Sequence, residues 1–267
     1  MMRLLSQILL VLLLSSCKQN ADVVAEPNEQ QQLIQQHVLA VLWYQQSAEM
    51  KASYLQSYRY ARMLLDAKLD TLSDQRPVGV VLDIDETVLD NSPNAVQLIR
   101  ANKTFTQELW KPWSDDARAK ALPGALDFVN YAMERGVEVF YISNRKEVEM
   151  EATLKNLKDL NFPNADTTHV LLKTVTSNKT ERRSVVSAQV EVLVYLGDNL
   201  RDYSEIFGKR GEDMGTGVVM ANKDDLLNNF VVFPNPTYGE WEKPIYGGDM
   251  GMADSLKLIK RIGVLED

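Results

Sequence analysis

Two carboxylates separated by one residue, Asp83 and Asp85, form the most chemically suggestive pattern in the sequence. They follow a short apolar, β-branched run at residues 78–82, which is typical of a buried strand. Alternate residues of an extended chain point to the same side, so the two carboxylates can hold a cation or act as an acid–base pair. A calcium-binding loop begins in the same way, but it requires Gly and Glu where this chain has Val88 and Asn94. The calcium-loop interpretation therefore fails.

Polar groups follow three further apolar runs in the same manner. They are Ser143 with Asn144, then Lys179, and finally Asp198 with Asp202. Each group has an ordinary explanation when it is taken alone, because turns and helix starts are rich in such residues. Ligands of open parallel sheets bind beyond the carboxyl ends of the strands, which is where these groups would meet. The four groups together therefore predict one site.

The elements that must position these groups alternate between strands and helices. The predicted strands cover residues 78–82, 137–142, 169–172, 191–196 and 216–220. An N-terminal helical stretch at 32–72, either one helix or two in succession, precedes predicted helices at 123–136, 147–160 and 180–189. This order predicts an α/β fold with a mostly parallel sheet that is covered by helices on both faces.

The composition fits one ordinary globular domain with modest additions, since 45% of the 267 residues are hydrophobic and 25% are charged. The formal net charge of −8 offers no basic surface for a nucleic-acid polymer. A phosphorylated small molecule is not excluded, because a metal ion or a well-placed lysine can supply positive charge locally.

The four groups resemble the motifs of the haloacid-dehalogenase superfamily. Those motifs are Asp-x-Asp-x-Thr, a hydroxyl residue after a strand, a lysine, and a cluster similar to Gly-Asp-x-x-x-Asp. Residues 81–91 and 194–203 look like the bipartite signature of class C acid phosphatases, which are bacterial surface lipoproteins that include broad-specificity 5′-nucleotidases. The resemblance implies a Rossmann-like core with a small helical cap built from the N-terminal helix and other segments.

The likeness covers nearly the whole mature chain. Outside the motifs it includes residues 41–43, 123–125 and 238–242. Two positions depart from the family pattern: Asn94 stands where the family has an aromatic residue, and Tyr203 stands where Phe is usual. The first departure bears on substrate preference, and neither affects the chemistry.

The resemblance also implies how the carboxylates act. Asp83 would be the nucleophile that attacks phosphorus to give an aspartyl-phosphate. Asp85 would protonate the leaving oxygen and later deprotonate the attacking water. Mg²⁺ would be the cofactor, held by Asp83, the main-chain carbonyl of Asp85 and Asp198.

The remaining motif residues would bind the phosphoryl group and balance its charge. By the resemblance, Thr87, Ser143 and Asn144 position the phosphoryl oxygens. Lys179 adds positive charge near the transferring oxygens, and Asp202 orients Lys179 or a water molecule.

A second lysine, Lys173, also follows the third predicted strand and competes for the same role. The family places its lysine just before a helix that contains an arginine, as Lys179 stands before Arg182 and Arg183. We therefore predict Lys179 as the site lysine.

Aromatic residues outside the motif strands are candidates for binding the leaving group. Tyr238 and Trp241 could stack on a base or an aryl ring, a mode of binding that tolerates varied bases. Packing in the core or at an interface is the alternative for both side chains.

The N-terminus has the layout of a lipoprotein signal. A positively charged start precedes an apolar stretch at 4–14, which is shorter than the roughly 20 residues that a bilayer-spanning helix needs. Leu14-Ser15-Ser16-Cys17 resembles the bacterial lipobox, in which the cysteine carries lipid and becomes the first mature residue. Cys17 is the only cysteine of the chain and cannot form an internal disulfide.

This pattern predicts a signal peptide at 1–16, a flexible tether at 17–31 and a phosphatase domain at 32–267. The protein would be exported and anchored to the bacterial cell envelope by lipid. Lys18 after the cysteine, rather than Asp, favours the outer membrane.

Other interpretations differ in how well they fit. Histidine phosphatases are excluded, because neither His37 nor His169 lies near an Arg-His-Gly motif. Asp85 argues against dehalogenase or phosphonatase chemistry. A surface lipoprotein that binds a nucleotide or another ligand, with incidental hydrolysis, remains the alternative.

The N-terminal helix and the segment from Phe230 onward would form either a cap or a homodimer interface.

Overall fold

The fold is organised around a parallel sheet, seen here in a computed structural model that describes residues 27–73 and 76–266. In chain order its strands and those of a small ribbon are β1 (Val78–Leu82), β2 (Leu89–Asp90), β3 (Lys120–Ala121), β4 (Glu138–Lys146), β5 (Val170–Lys173), β6 (Glu191–Gly197) and β7 (Phe230–Val232). The sheet has the spatial order β5-β4-β1-β6-β7, and every neighbouring pair is parallel. Strands β2 and β3 pair antiparallel apart from it. The predicted α/β fold with a mostly parallel sheet is confirmed.

Helices cover both faces of this sheet. In the described ranges they are α1 (Glu29–Gln46), α2 (Ala48–Thr71), α3 (Ser92–Arg100), α4 (Gln107–Asp115), α5 (Ala125–Glu134), α6 (Met150–Asp159), α7 (Thr180–Ser187), α8 (Leu200–Tyr203), α9 (Thr216–Ala221), α10 (Lys223–Asn229) and α11 (Asp254–Gly263). The helices predicted at 123–136, 147–160 and 180–189 are confirmed as α5, α6 with a preceding 3₁₀ turn, and α7. No helix among the described residues is long and apolar enough to cross a membrane.

The N-terminal helical stretch is divided into two helices at Ser47. This residue is extended (φ −77°, ψ 141°), and its hydroxyl accepts the Met50 N–H to cap α2. Helix α1 begins at Glu29, earlier than predicted. Its first turn is stabilised by a reciprocal capping box between Asn28, the N-cap residue, and Gln31. The predicted tether at 17–31 is therefore too long at its C-terminal end. Its residues 17–26, like the predicted signal at 1–16, lie outside the described residues.

One predicted strand is wrong. Residues 216–220 form helix α9 instead, although they contain two adjacent valines. The carboxylate of Asp213 accepts the N–H groups of Gly215 and Gly217, and Gly215 takes a left-handed conformation (φ +90°) that starts the helix. The fifth strand of the sheet is β7, which follows α10 and was not predicted.

Helix α2 packs across one face of the sheet through a row of buried aromatic rings. Tyr54 and Tyr58 lie 5.1 Å and 4.6 Å from Phe233, measured between ring centroids, and Tyr58 also contacts Phe128 of α5. Leu65, about two turns after Tyr58 on α2, is fully buried. On the opposite face, Val186 of α7 packs in a smaller apolar cluster. Helix α1 instead packs against α3 and α11, outside the sheet layers.

The tyrosine hydroxyls of α2 support the loop that follows β1. Tyr54 donates to the main-chain carbonyl of Glu86 at 2.5 Å, and Tyr58 donates to that of Thr87 at 2.7 Å. Tyr44 of α1 lies 2.6 Å from the Tyr54 hydroxyl and extends the network. These bonds matter because Glu86 takes a left-handed conformation (φ +57°), which turns the loop away from the ladder bonds of the sheet.

We expect Tyr58→Phe to lower the free energy of unfolding by about 1–3 kcal/mol, because the buried Thr87 carbonyl loses its donor. Chemical denaturation measures this loss. The matched control is Tyr60→Phe, whose hydroxyl bonds the Leu227 carbonyl at the surface, where water can replace it. Equal losses in the two variants would contradict a special role for the buried bond.

Candidate active site

The site begins where two neighbouring strands end side by side. Leu82 of β1 is paired with Leu196 of β6, and the Asp83 N–H donates to the Leu196 carbonyl at 2.9 Å. Asp83 and Asp198 therefore leave adjacent strands at the same level of the sheet. The predicted convergence of these carboxylates rests on this register.

A third carboxylate, Asp202, folds back from α8 onto the same point. Its side chain accepts the Asn199 N–H at 3.0 Å, within a capping box. A Cβ atom at Gly197 would lie only 2.3 Å from Oδ2 of Asp202, so a residue without a side chain is needed there. One carboxylate oxygen from each of Asp83, Asp198 and Asp202 then lies within 4.8 Å of the others.

Burial and mutual repulsion make this cluster electrostatically costly. Burial raises the pKa of Asp83 to about 7, although Lys179 opposes the shift. Burial also raises the pKa of Asp198 well above its ordinary value, and the neighbouring Asp202 and Asp83 add to the effect. Asn235 donates to Asp198 at 2.8 Å and partly compensates. A bound cation would relieve the remaining repulsion.

Lys179 supplies positive charge to the cluster from the N-terminus of α7. Its ammonium group forms ion pairs with Asp83 and, at 2.6 Å, with Asp202, and the side chain is 3% exposed. Burial alone would lower the pKa of Lys179, but Asp202 and Asp83 outweigh it and raise that pKa. Lys173 ends β5 and is not among the residues that line the cavity above the cluster.

The carboxyl group of Asp85 is held apart from the cluster by a buried arginine. Nη2 of Arg145 lies 2.7 Å from Oδ1 of Asp85, and Nε lies 3.0 Å from the same atom. Asn91 donates to Oδ1 at 2.8 Å, and the Ser143 hydroxyl donates to Oδ2 at 3.2 Å. The sequence pattern assigns Arg145 no role. The sequence does offer a clue to this contact: Arg145 lies two residues after Ser143, and both side chains therefore point to the same side of strand β4.

The three predicted phosphate-binding residues have different environments. Asn144 is exposed at the rim of the cavity, where its carboxamide accepts a bond from Arg182 at 2.8 Å. Ser143 is buried beneath Asp85 and does not line the cavity. Thr87 is fully buried, and its hydroxyl has no partner within the described part of the chain. The structure therefore does not bring Thr87 to the cavity, because the left-handed turn at Glu86 directs the chain inward.

The carboxylates open onto a cavity of about 760 Å³, within the range of small-molecule sites. Its walls come from α1, α3, the segment 103–110 and the C-terminal segment from Thr237 to Arg261. Tyr238 lines this cavity, and its hydroxyl donates to the buried carboxyl group of Glu86. Trp241 does not line it and is 42% exposed, so only one of the two predicted stacking residues is in place.

The donor set suits a hard divalent cation. Asp83, Asp198 and Asp202 offer three carboxylate oxygens that converge from different elements, and oxygen ligands of this kind are what Mg²⁺ prefers. The predicted set named Asp83, Asp85 and Asp198, with Asp85 contributing only its main-chain carbonyl. The carboxylate of Asp85 is not in the observed cluster, whereas Asp202 is.

We expect Mg²⁺ to stabilise the protein through this cluster. At a hundredfold excess over its dissociation constant a ligand contributes about 2.7 kcal/mol, which thermal unfolding detects. Asp198→Asn should remove most of the Mg²⁺-dependent rise in melting temperature. Asp159→Asn, at an exposed acid on α6, should leave that rise intact. An equal Mg²⁺ effect in both variants would place the cation elsewhere.

Comparisons with known proteins agree with this geometry. Residues 4–241 match the sequence profile of a family described as HAD superfamily, subfamily IIIB (acid phosphatase). The crystal structure of the class C acid phosphatase from Bacillus anthracis with tungstate bound is 37% identical in sequence and superposes with a TM-score of 0.83. The alignment covers 88% of this chain and 98% of that one. A second structure of the same Bacillus anthracis phosphatase gives the same values.

More distant relatives also carry phosphatase names. Acid phosphatase 1 of Solanum lycopersicum is 26% identical over 148 residues, which is 52% of this chain and 56% of that protein. The class B acid phosphatase of Xenorhabdus bovienii (strain SS-2004) is 26% identical over 113 residues, which is 38% of this chain and 46% of that protein. The chain thus spans about half the length of these curated relatives.

Proposed function

Because the chain belongs to subfamily IIIB of the haloacid-dehalogenase (HAD) superfamily, the acid phosphatases, we propose that it is a Mg²⁺-dependent acid phosphatase. It hydrolyses phosphomonoesters, 5′-nucleotides among them, through an aspartyl-phosphate on Asp83. The observation that carries this proposal is the position of Asp83. It directly follows β1 at the floor of an open cavity, in contact with Lys179 and within the cluster formed with Asp198 and Asp202.

The first half of the reaction transfers the phosphoryl group to the protein. An oxygen of Asp83 attacks phosphorus, and the bond from phosphorus to the leaving oxygen breaks. Asp85 gives its proton to that leaving oxygen, which departs as an alcohol. Asp83, Asp198 and Asp202 would hold the cation, which would supply positive charge against the phosphoryl oxygens. Lys179, which pairs with Asp83 and Asp202, offsets further negative charge.

The second half restores the carboxylate. Asp85 takes a proton from a water molecule whose oxygen attacks the phosphorus of the aspartyl-phosphate, and Asp83 leaves as a carboxylate while inorganic phosphate forms. Arg145, Asn91 and Ser143 fix the carboxyl group of Asp85 beside the cavity for both proton transfers. The Arg145 side chain is buried, so it orients the partly exposed carboxyl group of Asp85 from the side away from bulk solvent.

Support for nucleotides as substrates comes from the size and lining of the cavity. About 760 Å³ is more than a phosphate group needs, and the ring of Tyr238 flanks the space beside Asp83. Stacking on an aromatic ring binds different bases with little discrimination. This accords with the broad-specificity 5′-nucleotidases that the signature at 81–91 and 194–203 resembles.

We expect Asp83→Asn to abolish phosphate release from p-nitrophenyl phosphate and a 5′-nucleotide, by about 10⁴-fold or more, because the nucleophile is lost. EDTA should stop turnover by the unaltered protein. Lys179→Ala should lower kcat/KM by about a hundredfold or more. Lys173→Ala is the matched control and should retain turnover. Loss with Lys173→Ala but not with Lys179→Ala would reverse the assignment of the lysine.

One outcome would favour the alternative function. Tight nucleotide binding by the unaltered protein, with no metal-dependent phosphate release from acidic to neutral pH, would indicate a ligand-binding lipoprotein instead. The Asp83→Asn protein provides the reference for binding without turnover.

We also propose that the protein is anchored to the cell envelope by lipid on Cys17, with Lys18 favouring the outer membrane. The support is the sequence Leu14-Ser15-Ser16-Cys17 and the lack of any other cysteine. More than one acyl chain is required for stable anchoring, which is what lipoprotein processing provides.

Expression of the full chain in a bacterium with an alkyne-labelled fatty acid tests the anchor. We expect label on the unaltered protein and partition into the detergent phase of a Triton X-114 extraction. Cys17→Ser should lose both properties and should leave phosphatase activity intact. If the Cys17→Ser protein still carried the label, the lipid would be attached to another residue.

A further inference from the structure

The wall that α3 contributes to the cavity contains an unusual polar side chain, Asn94. It is 5% exposed and lines the cavity, yet its carboxamide has no hydrogen-bond partner within the described residues. The polar atoms of the Asn94 carboxamide remain accessible, whereas the Thr87 hydroxyl is inaccessible and also has no partner. Its main-chain N–H is satisfied by the Asn91 carbonyl at 2.9 Å, so within the described part of the chain the missing partner concerns the side chain. The free carboxamide therefore faces the cavity.

Asn94 differs in this respect from the other buried polar residues of the cavity wall. Those residues are Asp83, Asn91, Arg145, Glu149, Lys179, Asp202 and Thr237, and each has a side-chain partner in the protein. The comparison with Asn91 is the most direct. The Asn91 carboxamide donates to Asp85 and accepts from Trp113 at 2.8 Å, so its hydrogen-bonding capacity is used inside the protein.

The helices that form this part of the wall contribute mainly apolar residues. On α3 the other lining residues are Ala95, Leu98 and Ile99, and α1 contributes Leu33, Ile34 and His37. Water in the open cavity can bond the carboxamide, but a ligand that displaces this water must bring a donor or an acceptor of its own. An apolar residue at this position would make no such demand.

We infer that Asn94 is a specificity-determining residue that hydrogen-bonds the leaving group of the substrate. The carboxamide offers one acceptor and two donors, so its complement is a group with an adjacent donor and acceptor. The apolar wall and the Tyr238 ring suit a flat aromatic or heteroaromatic body. The favoured substrates are therefore phosphomonoesters of a ring that carries an amide-like edge, as a nucleobase or an aryl carboxamide does. This inference rests on the proposed phosphatase function and makes its substrate class specific.

The preference arises mainly because substrates whose leaving group lacks a polar edge bind less well. A leaving group without a polar edge would fill the cavity but leave the Asn94 carboxamide buried and unpaired, which costs binding energy in the transition state as well as in the ground state. A leaving group with such an edge avoids this cost. An exposed aromatic residue alone would not distinguish between the two.

The test compares two substrates that differ only in the edge, phenyl phosphate and 3-carbamoylphenyl phosphate, by kcat/KM in the presence of Mg²⁺. The unaltered protein should prefer the carbamoyl compound. Asn94→Leu, which keeps the size and removes the amide, should lower that preference by about tenfold. The matched control is Gln97→Leu, which removes an exposed carboxamide from the same helix outside the cavity and should keep the preference.

The outcomes separate the inference from the function on which it rests. If the unaltered protein hydrolyses neither compound in a metal-dependent manner, the proposed function fails. If it hydrolyses both and Asn94→Leu retains the preference within about twofold, or if no preference exists, the inference is wrong and the function stands. Should Asn94→Leu lack cooperative thermal unfolding, Asn94→Ala makes the same comparison with a smaller change.

Discussion

The structure depends on the balance of charge where β1 and β6 end. The register between these strands forces Asp83 and Asp198 together, and the turn of α8 adds Asp202. The buried carboxylates of Asp83 and Asp202 and the half-buried one of Asp198 repel one another, so positive charge nearby stabilises the arrangement. Lys179 provides one such charge, and the converging oxygens provide a place for a second on a cation. The excess of negative charge that is costly to the folded protein also favours a cation at this point.

Much of this arrangement was predictable from sequence because it follows from strand geometry. Asp83, Asn144, Lys179 and Asp198 each come at or near a strand end, and parallel strands deliver their ends to one edge. The alternation of apolar runs with amphipathic stretches was likewise sufficient for β1, β4, β5 and β6 of the sheet and for α5, α6 and α7. Local chemistry was enough here because each group is positioned by its own strand or helix start.

The sequence-based predictions fail or are incomplete where tertiary contacts determine the local structure or the position of a side chain. The two valines within 216–220 favour a strand, but the cap formed by Asp213 starts a helix. The charge of the buried Arg145 is balanced by Asp85, sixty positions away in the sequence, and no local pattern contains this pairing. Trp241 and Tyr238 are close in sequence, yet only Tyr238 faces the cavity. The unpaired carboxamide of Asn94 likewise becomes visible only once its neighbours are known.

Support of the catalytic loop by tyrosine hydroxyls has a consequence for how the protein responds to acidity. Burial raises the pKa values of Tyr54 and Tyr58 well above the ordinary value, so both phenols stay protonated and keep donating across the range in which carboxylates titrate. These two tyrosines therefore support the loop in the same way from acidic to neutral conditions. A response of the site to pH must come from other groups: the buried carboxyl group of Glu86 in the loop itself, whose pKa burial raises well above its ordinary value, or the carboxyl groups that line the cavity.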